Sequence, residues 1–231
     1  MDDGTYTYHN LSHMNQEGCI YPVIIHQDQH TLIELTYQKR LTYRERNLKK
    51  YQPEEFYATH NDELITQSYI FRHGELVEYN PNPISYDIEK IAFSTRGCYG
   101  SCPVFKLTIN ESRQAELNAI RFNRKYTPES QQPTLLEGLY LTDLSPERYE
   151  KLIDQINYLD FPNLKDSYAL EVTDQASSTL TITYGGGQVK AINDYGKQGT
   201  RGLSNLYLAL SKLRFDLQWQ PQAKPMSDSD N

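Results

Sequence analysis

Between residues 89 and 122 apolar and polar side chains alternate. In EKIAFST (89–95) Ile91 and Phe93 share a face, and in VFKLTI (104–109) Phe105, Leu107 and Ile109 do the same. A two-residue period marks strands buried on one side only. QAELNAIRF (114–122) pairs back across the turn NESR. The period then changes. Tyr149, Leu152, Ile153, Ile156 and Leu159 form one stripe at helical spacing, with Ser145 as N-cap, Pro146 at the first helical position and Glu147 at the positive end. Phe161-Pro162 ends that helix. STLTITYGGGQVKAIND (178–194) reads as a hairpin turning on three glycines, and Leu203, Leu206, Tyr207, Leu210 and Leu213 line one side of a last helix. The series predicts an α+β domain, an antiparallel sheet covered on one face by two helices.

The N-terminal part carries weaker patterns. TLIEL (31–35) is strand-like, and TQSYIFRHGELVEY (66–79) reads as a hairpin turning at Arg72-His73-Gly74-Glu75. QKRLTYRERNLKK (38–50) concentrates six basic residues, which a solvated strand, a short helix face or an acidic partner would each explain. NPNPIS (80–85), with two prolines and two asparagines, is the expected border. The predicted organisation is a β-rich region over 1–86, the α+β domain over 87–219, and a flexible polar tail over 220–231.

Composition narrows the function classes. No run of about 18 apolar residues could span a bilayer, and a net charge of −7 argues against nucleic acid as partner. Nineteen tyrosines against seven phenylalanines fit strands with many half-buried positions, where the ring packs and the hydroxyl stays wet. Met1-Asp2-Asp3-Gly4 has neither the basic nor the apolar region of a secretory signal, and Cys19 lacks the apolar run that precedes a lipoprotein cysteine. Three cysteines are compatible with either redox compartment.

Three stretches occur in order: IAFSTRGCYGSCPVFKLTI, YLDFPNLKDSYALEVTDQASSTLTITY and VKAINDYG. They resemble a bacterial family of domains of unknown function, family 6438. Its members carry Gly-Cys-Tyr-Gly-x-Cys-Pro-Val leading into a strand, then Leu-Lys-Asp-x-Tyr with a later Thr-Asp, then Asp-Tyr-Gly. Here these fall on Gly97 to Val104, on Leu164 to Tyr168 with Thr173-Asp174, and on Asp194 to Gly196. The resemblance spans about residues 88–219 and none of the first 85. This chain departs from it after Gly196, reading Lys-Gln-Gly-Thr-Arg-Gly where many members continue Gly-Gly-Pro-Pro. The resemblance implies a bacterial and often exported protein, in the periplasm or cell envelope with the cytoplasm as the alternative, and brings no activity or cofactor with it.

Cys98 and Cys102 are the densest chemistry. A redox dithiol usually opens a helix, whose dipole lowers the thiol pKa. The spacing is also similar to that of copper-delivery proteins of the thioredoxin fold, yet PVFKLTI alternates like a strand. A metal site would need two further soft or imidazole ligands. A disulfide needs α-carbons roughly 4.4–6.8 Å apart, which a curled Tyr99-Gly100-Ser101 allows. Structural disulfide, redox pair and metal site all remain open on the residues.

His9/His13 and His26/His30 are four apart, but on one strand such residues stand about 13 Å from each other. YGKQGTRG (195–202) opens the last helix with Lys197 and Arg201, so it is either an anion loop or a plain turn and cap. Asp166, Glu171, Asp174 and Asp194 fall on loops, where they could act as acids, hold a hard cation or cap turns. The stretch that carries the resemblance contains no histidine, which lowers the case for hydrolysis. The expected function is non-enzymatic binding of an unknown protein or small-molecule partner. Arg96 and Tyr99 would be its contacts, and Asp166, Tyr168, Asp174, Asp194 and Tyr195 would complete the surface. The alternatives are thiol redox or copper handling by Cys98 and Cys102 and, more weakly, an enzyme with a carboxylate site around Asp166, Asp174 and Asp194.

Overall fold

The computed structural model describes residues 16–27, 30–39, 41, 43–60, 64–125 and 133–222 of the chain, so the His9/His13 pair lies outside the described residues. The chain divides into two compact units, Met1–Phe71 and Arg72–Asn231.

In the first unit β1 (Gln16–Gln27), β2 (His30–Lys39) and β3 (Leu64–Arg72) pair antiparallel in that order. Two helices, α1 (Tyr43–Tyr51) and α2 (Pro53–Thr59), separate β2 from β3, so this region is less purely β than its sequence suggests. Most of the basic run lies on α1, with Lys49 and Lys50 in the last turn where the dipole favours cations. Pro53 opens α2, whose Phe56 is buried and stacks on His60 at 4.6 Å. His26 and His30 occupy two strands of a hairpin rather than one, and His26 Nδ1 lies 3.3 Å from Thr31 Oγ1.

The second unit begins at Arg72, just before the turn at His73-Gly74. It contains β4 (Glu75–Glu78), β5 (Ile88–Thr95), β6 (Val104–Asn110), β7 (Gln114–Lys125), β8 (Thr134–Asp143) and α3 (Pro146–Tyr158). A 3-10 turn (Phe161–Asn163), β9 (Ser167–Ala169), β10 (Ser177–Tyr184), β11 (Gln188–Tyr195), α4 (Arg201–Asp216) and β12 (Gln220–Pro221) complete it. Its sheet has the order β12-β8-β7-β6-β5-β10-β11-β9.

Register aligns the apolar face. Ile182, Ile91, Ile109 and Ala115 form one row, and Ile192, Leu180, Phe93, Leu107 and Leu117 form the next. Together with Leu152 and Ile156 of α3 and Leu203, Leu206, Tyr207 and Leu210 of α4 they make one core. Each such buried side chain contributes roughly 1.5–3 kcal/mol relative to an exposed one, so both helices lie on this face. The opposite face carries residues such as Lys106, Glu116 and Asn118.

Three features differ from the sequence reading. The sheet is mixed, because β9 runs parallel to β11 at one edge. Gln220 and Pro221 belong to β12, paired with β8, rather than to a free tail. The compact units meet at Phe71/Arg72 rather than within 80–85, because the intervening segment is bonded to α3. Arg72 Nη2 donates to both carboxylate oxygens of Asp154 at 2.8 and 2.9 Å, Asn80 donates to both the hydroxyl and the carbonyl of Tyr158, and the Tyr86 amide donates to Asn157 Oδ1.

One buried cation sits in the core edge. Arg214 lies 4.1 Å from the Phe105 ring centroid and donates to Asn123 Oδ1 at 2.7 Å, while Asn123 Nδ2 donates to the Val104 carbonyl. Burial lowers its pKa to about 10. Replacing Asn123 by Ala leaves the guanidinium without that acceptor and should lower stability by about 2–3 kcal/mol in urea unfolding. The double variant Asn123→Ala/Arg214→Met should recover part of that loss; no recovery would show that Arg214 does not depend on Asn123.

Candidate functional site

Antiparallel pairing brings three loops to one end of the large sheet. The loops are 96–103 between β5 and β6, 170–176 before β10, and 196–200 after β11. Backbone hydrogen bonds join them: Arg96 N to Ser177 O, Gly196 N to Ala176 O, and Leu170 N to Tyr195 O. Beyond the last apolar row the inward face turns polar, with Thr95 opposite Ser178, Ser178 opposite Asp194, and Asp194 opposite Tyr168. Thr95, Ser178 and Asp194 are all buried.

Asp194 organises this end. Its carboxylate accepts from the Gln198 amide at 3.1 Å and the Gly199 amide at 2.8 Å, so it folds the loop after β11 over itself. Burial raises its pKa, and the amides only partly offset this. The Tyr207 hydroxyl lies beside it with no hydrogen-bond partner among the described residues, and burial pushes that phenol strongly upward. The Tyr168 ring packs on Gly199, where a Cβ would sit 2.6 Å from the ring, and its hydroxyl accepts from the Lys165 amide. Tyr195 accepts from the Gln175 amide at 3.1 Å.

Lys197 and Arg201 flank the start of α4. Lys197 adopts left-handed backbone (φ 59°) and burial lowers its pKa. The helix amides themselves are taken from within the chain. Glu78 Oε1 accepts from Arg201 N at 2.7 Å, Glu78 Oε2 from Gly202 N at 2.9 Å, and Thr200 Oγ1 caps Leu203 N. An internal carboxylate therefore sits where an external anion would bind. Gly202 packs closely, since a Cβ there would lie 2.1 Å from Leu159 Cδ2 and Leu159 would have to move.

Cys98 and Cys102 form a disulfide, with α-carbons 5.6 Å apart. Gly100 supplies φ 134°, which a side chain rarely adopts. Thr95 Oγ1 donates to the Pro103 carbonyl at 2.7 Å and accepts from the Phe105 amide, so one hydroxyl closes the loop's base. A loop this short gains only about 2 kcal/mol from chain entropy, so the bond shapes the loop more than it holds the domain. Tyr99 at its tip is 90% exposed and Arg96 is exposed.

The acidic candidates separate. Asp174 stands exposed with left-handed backbone (φ 64°) at the same end as the cysteine loop. Asp166, just before β9, pairs with Lys190 at 2.5 Å, whereas Asp194 is buried. Glu78, Asn123 and Arg214 had no prominence in the sequence. Arg214 alone had a local signal, since it continues the apolar stripe four residues after Leu210.

A groove of about 560 Å³ runs elsewhere, lined by His73, Ser145, Arg148, Lys151, Asn205 and Lys212 among others, and none of the candidate binding residues or cysteines lines it. Among the described residues no group of three or more His, Cys, Asp or Glu is placed to hold a metal ion, and no helix is long and apolar enough to cross a membrane.

A family model described as domain of unknown function (DUF6438) matches residues 89–214, a stretch that includes all three loops. No curated protein and no solved structure matches the chain.

Asp194→Ala removes the acceptor of two loop amides and should cost about 2–4 kcal/mol. Because burial raises its pKa above the usual 3.8, the folded protein keeps the Asp194 proton to a higher pH than the unfolded chain does. The resulting stability is complete below the unfolded value and is lost as pH rises through the folded one. Denaturant midpoints measured from acid to neutral pH should show the wild type losing stability relative to Asp194→Asn; parallel curves would exclude this linkage.

Proposed function

The chain belongs to the DUF6438 family, and since that membership assigns no activity, we propose from its own residues that it is a binding protein whose contact surface is the disulfide-closed loop 96–103. The observation that carries this reading is Tyr99, 90% exposed on a loop closed by the Cys98–Cys102 bond and by Thr95. A large aromatic held out on a short closed loop loses little freedom when a partner covers it, and tyrosine and arginine are the side chains that most often dominate interfaces. Arg96 supplies a charged contact beside it. Tyr168, Asp194 and Tyr195 act beneath the surface, fixing the neighbouring loops, while Asp174 stands at its rim.

The cysteines serve this surface as a staple. Cys102 leads into β6, not into a helix N-terminus, so the dipole that lowers a redox thiol's pKa is missing. A stable disulfide suits an oxidising compartment, which agrees with the periplasm or cell envelope as the place of action.

The test is a photo-crosslinking phenylalanine analogue at position 99 in the full chain, in cells that make the protein. A discrete crosslinked product is expected at 99, absent when the analogue replaces Thr108 on the far face and reduced by Arg96→Ala. No position-dependent product would refute the contact surface.

A further inference from the structure

Resting on the reading of loop 96–103 as a contact surface, we infer that its ligand is a short acidic peptide segment of a protein partner, recognised by Arg96, Arg121 and Arg124 around Phe122 and Tyr99. The site is built by a bulge in β7. Ala119 pairs with Gly138 and Asn123 with Leu136, so residues 120–122 face a single residue of β8. The bulge puts Phe122 in left-handed backbone (φ 59°), a costly conformation for an aromatic residue and one often kept where it serves a site.

Phe122 then carries two cations. The Arg121 guanidinium lies 4.9 Å and that of Arg124 5.5 Å from its ring centroid. Arg121 also reaches the cysteine loop, because a Cβ on Gly97 would sit 2.9 Å from Arg121 Nη2. Bulge and loop are thus one surface, with Arg96 next to Gly97 and Tyr99 beyond. Arg96, Arg121 and Arg124 are exposed, and among the described residues none is in an ion pair. Guanidinium groups held over a ring are restricted in position, and their fork matches a carboxylate.

Charge decides between anionic partners. The chain carries −7 overall, so an extended polyanion such as nucleic acid or a membrane surface meets a repelling body. Fields are screened within about 8 Å at physiological salt, so a short acidic segment feels chiefly the three arginines. A lone small anion would leave Tyr99 and Phe122 unused, whereas a peptide covers both. Asp174, exposed on the adjacent loop, limits how far the acidic stretch extends.

The test is fluorescence anisotropy of labelled hexaglutamate with the full chain, against hexalysine, a DNA duplex and phosphatidylserine vesicles. Hexaglutamate binding that weakens with salt is expected. It should fall about tenfold or more in Arg121→Glu and in Arg124→Glu, and less in Arg121→Lys, which keeps charge but loses the fork. Arg96→Glu, which leaves Phe122 untouched, repeats the test should a bulge variant melt early by circular dichroism. Absence of hexaglutamate binding at low salt, binding unchanged in all three Glu variants, or tighter binding of DNA or vesicles would each overturn the inference. A Tyr99 crosslink that persists after such a result leaves the contact surface standing and removes only the acidic ligand; loss of both removes the surface as well.

Discussion

The core-facing residues at the centre of the five middle strands are apolar, and a sheet with one apolar face must cover it. Aligned rows such as Ile182–Ile91–Ile109–Ala115 leave both helices no other place to pack. The same register fixes what happens where the rows stop. Thr95 and Asp194 occupy core-facing positions with polar groups, and burying those groups is tolerable only if partners are supplied, as the loops do here. The loop after β11 and the base of the cysteine loop fold as they do because Asp194 and Thr95 demand it. The end of the sheet that carries the candidate surface is therefore a product of the core, not an addition to it.

Three charged contacts of the second unit share one pattern. Glu78 meets the amides of α4, Asn123 meets Arg214, and Asp154 meets Arg72 and His73. In each case the partner comes from a distant part of the chain, so these contacts form only after the fold does. The arginines around Phe122 do not share it. They are left to solvent on a surface whose backbone is itself held in an unfavourable conformation, and this contrast between satisfied interior charge and unspent surface charge marks the site.

Sequence periodicity revealed β5, β6, β7, the hairpin β10–β11 and both long helices, because each buries one face and so carries a clean period. Ser145-Pro146 located the start of α3 to the residue, with Ser145 accepting from the Arg148 amide. It did not reveal β8, whose side chains are neither cleanly buried nor cleanly exposed, or β9, where three residues are too few to show a period. The parallel pairing of β9 was out of reach for the same reason. At the candidate site, the prominence of Asp194 and of the cysteine pair was legible, though the bond itself was one of several readings. Glu78 as the counter-charge of α4 was not, since 123 residues separate it from Arg201 and no local pattern joins them. Nor was the grouping of Arg121 and Arg124 with the cysteine loop, which depends on a bulge that no turn residue announces.

The exposed stretch 81–85 lies between two anchored flanks. On one side Arg72, Glu78 and Asn80 are bonded to α3 and α4, and on the other Tyr86 is bonded to Asn157 and Asp160. A protease that nicks this stretch would cut the chain without freeing the pieces, because the upstream segment stays bound through side chains. A domain started at Asp87, in contrast, would be born without Glu78 and would leave the first amides of α4 bare. The protein is thus suited to fragment complementation, in which the strand carrying Glu78 returns as a separate peptide to restore what the shortened domain lacks.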